Sequence, residues 1–135
     1  MRQYVIDTHA LLWYITEDDK LSPKANFLIE QAEAGEAEII VPAIVLIESI
    51  SVISNPRKEM RYNPYELVQW LEESPSFIVS PLETKTIYSF MENMKRYSML
   101  RDDHDRLIIA TSMLYSSIPI ITKDEKIHKI YPCIW

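Results

Sequence analysis

Four carboxylates are the side chains of this 135-residue chain best suited to act together: Asp7, Glu48, Asp105 and Asp124. They are far apart in sequence, so their meaning depends on whether the fold gathers them. Asp7 closes the apolar stretch of "YVIDTH", and Asp124 follows "IPIIT" in "IITKDEKI". Glu48 lies in "AIVLIESIS", with Ile44 and Val45 about a turn before it and Ser51 a turn after it. Its carboxylate therefore sits where a buried face becomes polar. Asp105 lies in "RDDHDRLIIA", beside Asp102 and Asp103 at the start of an apolar helix. Each has an ordinary structural use as a turn residue, a helix cap or a first-turn acid favoured by the helix dipole. For Asp102 and Asp103 capping is the stronger reading. Gathered at about 5 Å, with an effective dielectric near 20, each pair would repel by roughly 3 kcal/mol. Such a cluster holds protons or cations. Oxygen donors without thiolate or imidazole suit Mg²⁺ or Mn²⁺ better than zinc.

The elements that must position these acids follow from the punctuation of the chain. Tyr4–Ile6 reads as a short strand. "SPKANFLIEQAEAG" reads as a helix, with Ser22 as N-cap, Pro23 at the first position, Ala25, Leu28, Ile29 and Ala32 on one face, and Gly35 at the end. "EIIVP" is a second strand leading into a helix from Pro42 to Ile53. Asn63 and Pro64 open another helix, bearing Leu67, Val68 and Leu71. "FIVSP" is a third strand, and Ile87, Phe90, Met91 and Met94 stand at helical spacing between Glu83 and Tyr97. "DRLIIATSMLYSS" is apolar nearly all round, as in a helix packed between layers. "IPIIT" is a fourth strand and "DEKIHKI" a short helix. This alternation implies one α/β domain over residues 1–135, with a mainly parallel sheet of about four to five strands flanked by helices. Such sheets form their functional crevice beyond the carboxyl ends of the strands, where Asp7 and Asp124 lie.

Composition narrows the classes. With 47% hydrophobic and 25% charged residues, the chain has ordinary globular values. Its longest apolar run, Ile39–Ile47, is too short to span a bilayer, and Asp7 and His9 interrupt any signal-like stretch. No membrane association is expected, and a cytoplasmic protein is. Cys133 is the lone cysteine and cannot form an internal disulfide. Gly35 is the lone glycine, which excludes glycine-rich phosphate loops. A net charge of -6 argues against gripping nucleic acid by general positive charge, but is compatible with an acidic cation site.

"YVIDTHALLW", "PAIVLIES", "DDHDRLIIATSM" and "PIITKDEKI", in that order and spacing, resemble the PIN domain. Within that family they are most similar to VapC-type toxin ribonucleases of toxin–antitoxin pairs. The resemblance spans nearly the whole chain and is weakest from Asn55 to Phe77. It implies a PIN-like three-layer fold, and it puts the family's four acidic positions on Asp7, Glu48, Asp105 and Asp124. The family's "DPxDR" stands here as "DDHDR", so Asp102 matches as an auxiliary and Asp103 replaces the proline.

The resemblance also implies Mg²⁺- or Mn²⁺-dependent endoribonuclease activity, an RNA substrate, a cognate antitoxin and a homodimer. Asp7 and Asp105 would be the main ligands, with Glu48 and Asp124 completing the shell. In-line attack by water would leave 5′-phosphate and 3′-hydroxyl ends without using the RNA 2′-OH. Thr8 and Thr122 flank these acids as possible auxiliaries. Arg57, Lys58, Arg61, Lys95, Arg96 and Arg101 are candidate phosphate contacts, and Tyr14, Tyr62 and Trp70 candidate base-stacking residues. Leu12, Trp13, Tyr14 and Trp70 are compatible with a partner groove or dimer face. Three rivals stand beside this reading: a helical HD-type phosphohydrolase, a metal-free ribonuclease using His9 and His104, and a non-catalytic binding module on the same fold.

Overall fold

A computed structural model describes residues 1–135. Its centre is a single five-stranded sheet built from β1 (Arg2–Ile6), β2 (Ala37–Pro42), β3 (Phe77–Ser80), β4 (Ile120–Ile121) and β5 (Cys133–Ile134). The strand order is β3-β2-β1-β4-β5 and every pairing is parallel. Val5 stands between Ile40 and Ile120 across the two neighbouring ladders, and Ile6 pairs with Ile121. Val5, Ile6, Ile39, Ile40, Val41, Ile120 and Ile121 have no solvent exposure. Strands covered on both faces are apolar without alternation, which is why "IIV" and "II" suffice as strand signals.

Seven helices flank the sheet: α1 (Thr8–Ile15), α2 (Pro23–Glu33), α3 (Ala43–Ile53), α4 (Pro64–Glu73), α5 (Thr84–Arg96), α6 (Asp103–Leu114) and α7 (Glu125–His128). The expected α/β class and sheet are those observed. The Ser22 hydroxyl accepts from Ala25 N–H, and Asn63 accepts from Tyr65 and Glu66 N–H groups, so both predicted starts carry their caps. Gly35 follows α2 with φ +79°, a backbone conformation that glycine adopts without penalty. The sequence expectation of about four to five strands is met, although no segment was assigned to the fifth. Two residues after Pro132 are too few to show a pattern. No helix is long and apolar enough to cross a membrane.

Two apolar groups sit differently from what their sequence context suggests. Leu12 is fully buried and Trp13 nearly so, so these two residues of α1 belong to the core rather than to a free face. Conversely, Ile87, Met91 and Met94 on α5 are about half exposed, and Tyr88 beside them is 69% exposed. The cause is the way α5 meets α6. Thr86 and Asn93 are the buried residues of α5, and the Ser89 hydroxyl donates to the Ala110 carbonyl at 2.8 Å. Asn93 Nδ2 donates to the Ser89 carbonyl at 2.9 Å. Small polar side chains let the two helices approach, and this turns the larger apolar stripe outward.

Leu12→Ala should lower the unfolding free energy by about 2–5 kcal/mol, as for a core leucine. Phe27→Ala, at a residue 57% exposed on α2, should change it by less than about 0.5 kcal/mol. Urea denaturation of the two variants checks the contrast, and equal losses would contradict this placement of α1.

Candidate functional site

β1 pairs with β2 on one side and β4 on the other, so the order of connection reverses between β1 and β4. Side chains following these two strands face the crevice that such a reversal opens. Asp7 begins there, with its N–H donating to the Ile121 carbonyl at 3.2 Å. Its Oδ1 accepts from Ala10 N–H at 2.8 Å, which caps α1, and its Oδ2 accepts from the Thr122 hydroxyl. The Thr122 oxygen in turn accepts from Asp124 N–H at 3.0 Å. Capping and clustering are therefore two uses of one carboxylate. Asp124 does the same for α7, its Oδ1 accepting from Lys126 and Ile127 N–H groups at 2.8 and 3.2 Å.

The opposite wall comes from α3 and α6. Glu48 Oε1 accepts from the Thr8 hydroxyl at 2.9 Å, and Oε2 lies 2.6 Å from His104 Nδ1. Asp102 is the N-cap of α6, accepting from His104 N–H at 2.7 Å. Asp103, at the position of the expected proline, is exposed and reaches Arg106 at 3.5 Å. Asp105 stands in the first turn of α6.

Burial and mutual repulsion set the electrostatics. The Asp105 carboxyl is pushed up to about 6, first by burial and then by Asp102, Asp124, Asp7 and Glu48. Asp105 thus feels every other acid of the proposed set. Asp7 is also raised; burial outweighs the stabilising hydrogen bonds from Thr122 and Ala10. Burial, with Asp7 and Asp124 nearby, pushes Cys133 up to about 12, so this neighbour remains a neutral thiol. The carboxylates lie within electrostatic range, although no three of them close on one point as a ready-made metal clasp. Their chemistry nevertheless fits a hard divalent ion: the donors are oxygens, and the charge is partly buried and uncompensated by lysine or arginine.

The candidate phosphate contacts fall elsewhere. Helices that follow parallel strands begin at the carboxyl edge of the sheet and run back toward the other edge. Arg57, Lys58 and Arg61 share a surface hollow with Thr16 and Val52, at the far ends of α1 and α3. The Arg61 guanidinium donates to the Asn55 and Pro56 carbonyls at 3.2 and 2.8 Å, holding that loop together. Lys95 and Arg96 end α5 beside Tyr97, whose ring meets Tyr131 just before β5. Arg101 immediately precedes the cap of α6 and lies nearer the acids. Two further residues reach the rim, His104, named in the sequence only for the rival readings, and Lys123. His104 joins α6 to Glu48, and Lys123, adjacent to Asp124, lies 5.8 Å from the Trp13 ring centroid. His9 faces the same ring at 5.4 Å. The places of Lys123 beside Asp124 and of His104 beside Asp105 were visible in the sequence; their contacts with Trp13 and Glu48 were not.

With this geometry in view, similarity to known proteins has a physical footing. Residues 4–131 match the model of the PIN domain. The chain belongs to the PIN domain family. Among solved structures, VapBC2 from Rickettsia felis, bound to a DNA fragment from its promoter, aligns at TM-score 0.69 and 19% identity. That alignment covers 98% of this chain and 97% of the other. A toxin–antitoxin complex from Klebsiella pneumoniae aligns at 0.64 and 13%, covering 98% and 96%. FitAcB from Neisseria gonorrhoeae aligns at 0.60 and 16%, with the same coverage. At these identities the likeness establishes the fold. No curated protein sequence matches this PIN domain.

The raised Asp105 carboxyl gives a pH dependence of known sign. Between its unfolded value of 3.8 and about 6, the folded state keeps a proton that the unfolded chain has released. The contribution of this group to stability is therefore greatest below the unfolded value and is lost as pH rises through the folded one. Asp105→Asn should raise the melting temperature at neutral pH, with the gain shrinking toward pH 4. Thermal melts across this range check it, and an equal gain at every pH would contradict the proposed origin.

Proposed function

We propose that this PIN domain is a Mg²⁺- or Mn²⁺-dependent endoribonuclease that cleaves RNA phosphodiester bonds, and that it is the cytoplasmic toxin of a toxin–antitoxin pair. The observation that carries the reading is the placement of Asp105 in the combined field of Asp7, Glu48, Asp102 and Asp124 at the reversal of the sheet. Membership of a family whose members are generally nucleases supports it. The descriptions of two structural neighbours, VapBC2 and the Klebsiella toxin–antitoxin complex, support a cognate antitoxin as partner.

In this reading Asp7 and Asp105 would hold the ion, and Asp124 and Glu48 would complete its surroundings directly or through water. A bound divalent ion would supply charge neutralisation at the scissile phosphate and lower the pKa of an attacking water. The chain's own residues do the positioning. Thr122 fixes the Asp7 carboxylate, Thr8 and His104 fix both oxygens of Glu48, and Asp102 fixes the entry of α6. Arg101 and Lys123 adjoin Asp102 and Asp124 in the chain, Lys123 and His9 both face the Trp13 ring, and these three are the favoured RNA contacts.

Of the rivals, the HD-type hydrolase requires a helical protein, and the five-stranded sheet removes it. The metal-free reading pairs His9 with His104, but these rings have different partners, Trp13 and Glu48. A purely binding module gives no reason for the repulsion that Asp105 bears. The exposed stripe of Ile87, Tyr88, Met91 and Met94 is the proposed homodimer face, since contiguous apolar surface marks protein contact.

Incubation with total and transfer RNA should give cleavage that requires Mn²⁺ or Mg²⁺ and is abolished by EDTA, with 5′-phosphate and 3′-hydroxyl ends. Asp7→Asn or Asp105→Asn should lower the rate by more than about 100-fold, exceeding what loss of an outer partner costs a metal site, while the fold is retained. Cyclic or 3′-phosphate ends, or activity in EDTA, would exclude this mechanism. Separately, light scattering should report a dimer for the wild type and a monomer for Met91→Glu; identical masses would remove α5 as the contact.

A further inference from the structure

Where β1, β4 and β5 end, aromatic rings adjoin the acids, and nothing in the acid chemistry uses them. The register fixes their place. Ile6 pairs with Ile121, and Ile121 with Ile134, so Asp7, Thr122 and Trp135 leave the sheet side by side at its carboxyl edge. The Asp7 N–H donates to the Ile121 carbonyl and the Thr122 N–H to that of Ile134, both at 3.2 Å. Neighbouring strands stand about 4.8 Å apart, which sets Trp135 roughly 10 Å from Asp7. A nucleotide spans a similar distance from its phosphate to the outer edge of its base. The first helix brings the other rings: Asp7 caps α1, His9 stands in its first turn, and Trp13 follows one turn later. His9 and Trp13 lie 5.4 Å apart at 46°, and Trp13 and Trp135 lie 5.8 Å apart at 62°. Neither pair is a parallel stack, so the rings leave one another's faces uncovered. Trp13 is the nearly buried floor, Trp135 is half-buried and His9 is exposed. Core packing accounts for Trp13. It gives no reason for an exposed imidazole and the Lys123 ammonium, 5.8 Å from the ring centroid, to gather on the same indole.

We propose that His9, Trp13 and Trp135 form a stacking subsite for an unpaired RNA nucleobase beside the phosphate at the acids, with Lys123 on the adjoining phosphate. The inference rests on the proposed function for the ligand's being RNA; the stacking itself is independent of cleavage. Every base has a π-face, so such a subsite selects a nucleotide that can leave its helix rather than one particular base. It thereby directs cleavage to loops, bulges and single strands. Stacking also needs no positive surface, which suits a chain of net charge -6. The rings that the sequence offered for stacking, Tyr14, Tyr62 and Trp70, instead line a cavity with Glu30 and Glu33, whose charges repel phosphate.

The test first reads stacking without cleavage. The intact ¹⁵N-labelled protein is titrated with adenosine, which has no charge and no phosphodiester bond, and the indole N–H signals are followed by NMR. Those of Trp13 and Trp135 should move, that of Trp70 should stay, and ribose should move none. Trp135→Ala and His9→Ala should each weaken adenosine binding by at least about fivefold, as for the loss of one base–aromatic stack. Trp135→Phe and His9→Phe keep a ring and should restore most of it. His9→Phe cannot transfer a proton, so its recovery separates stacking from acid–base use. Thermal melts check that each variant keeps its fold. On a hairpin RNA the wild type should cut in the loop, and Trp135→Ala should raise KM more than it lowers kcat. An unmoved Trp135 signal, movement of Trp70 alone, affinity indifferent to both alanine variants, or cuts in the stem as frequent as in the loop would overturn the proposal. A protein that binds adenosine at Trp135 and cuts no RNA would remove the nuclease reading alone. An active nuclease whose Trp135 ignores adenosine would remove the subsite alone.

Discussion

Carboxylates held against one another where β1 and β4 end are the constraint around which this fold is arranged. Burying Asp7 costs free energy, which shows in the upward push on its carboxyl. Two neutral donors, the Ala10 N–H and the Thr122 hydroxyl, offset part of that cost without cancelling the charge. A lysine or arginine would cancel it, and none is bonded there. The fold thus stabilises the position of the charge while leaving the charge itself available. The fully buried strands make this possible, because a rigid ladder from Val5 to Ile121 fixes where Asp7 and Thr122 stand relative to each other.

Much of this was legible in the chain. Asp7 and Asp124 could be placed at one edge because short β-branched runs mark buried parallel strands, and parallel strands share a carboxyl edge. Ser22–Pro23 and Asn63–Pro64 announced two helices because capping is local chemistry that tertiary context seldom overrides. What stayed illegible depends on contacts between distant segments. The outward turn of Ile87 and Met91 follows from Ser89 meeting Ala110, which no periodicity within α5 reveals. The link from His104 to Glu48 spans 56 residues and joins two helices whose relative rotation the sequence does not state. The placement of the basic residues was illegible for a simpler reason. Charge clusters in sequence do not say at which end of a helix they will stand, and Arg57, Lys58 and Arg61 stand at the far one.

Under the proposed function, a chain of net charge -6 would meet long-range repulsion from its polyanionic substrate. Screening confines that repulsion to about 8 Å at physiological ionic strength, so contact depends on the charges immediately around the crevice. Without a bound ion those charges are the acids, and RNA is disfavoured there. A divalent ion held by Asp7 and Asp105 would offset two of those negative charges, and Lys123 and Arg101 would offset more. Under the proposed function the ion is therefore required for substrate to approach as well as for chemistry. Substrate affinity and catalytic rate would both depend on the four acids that the strand ends and the starts of the helices bring into one field.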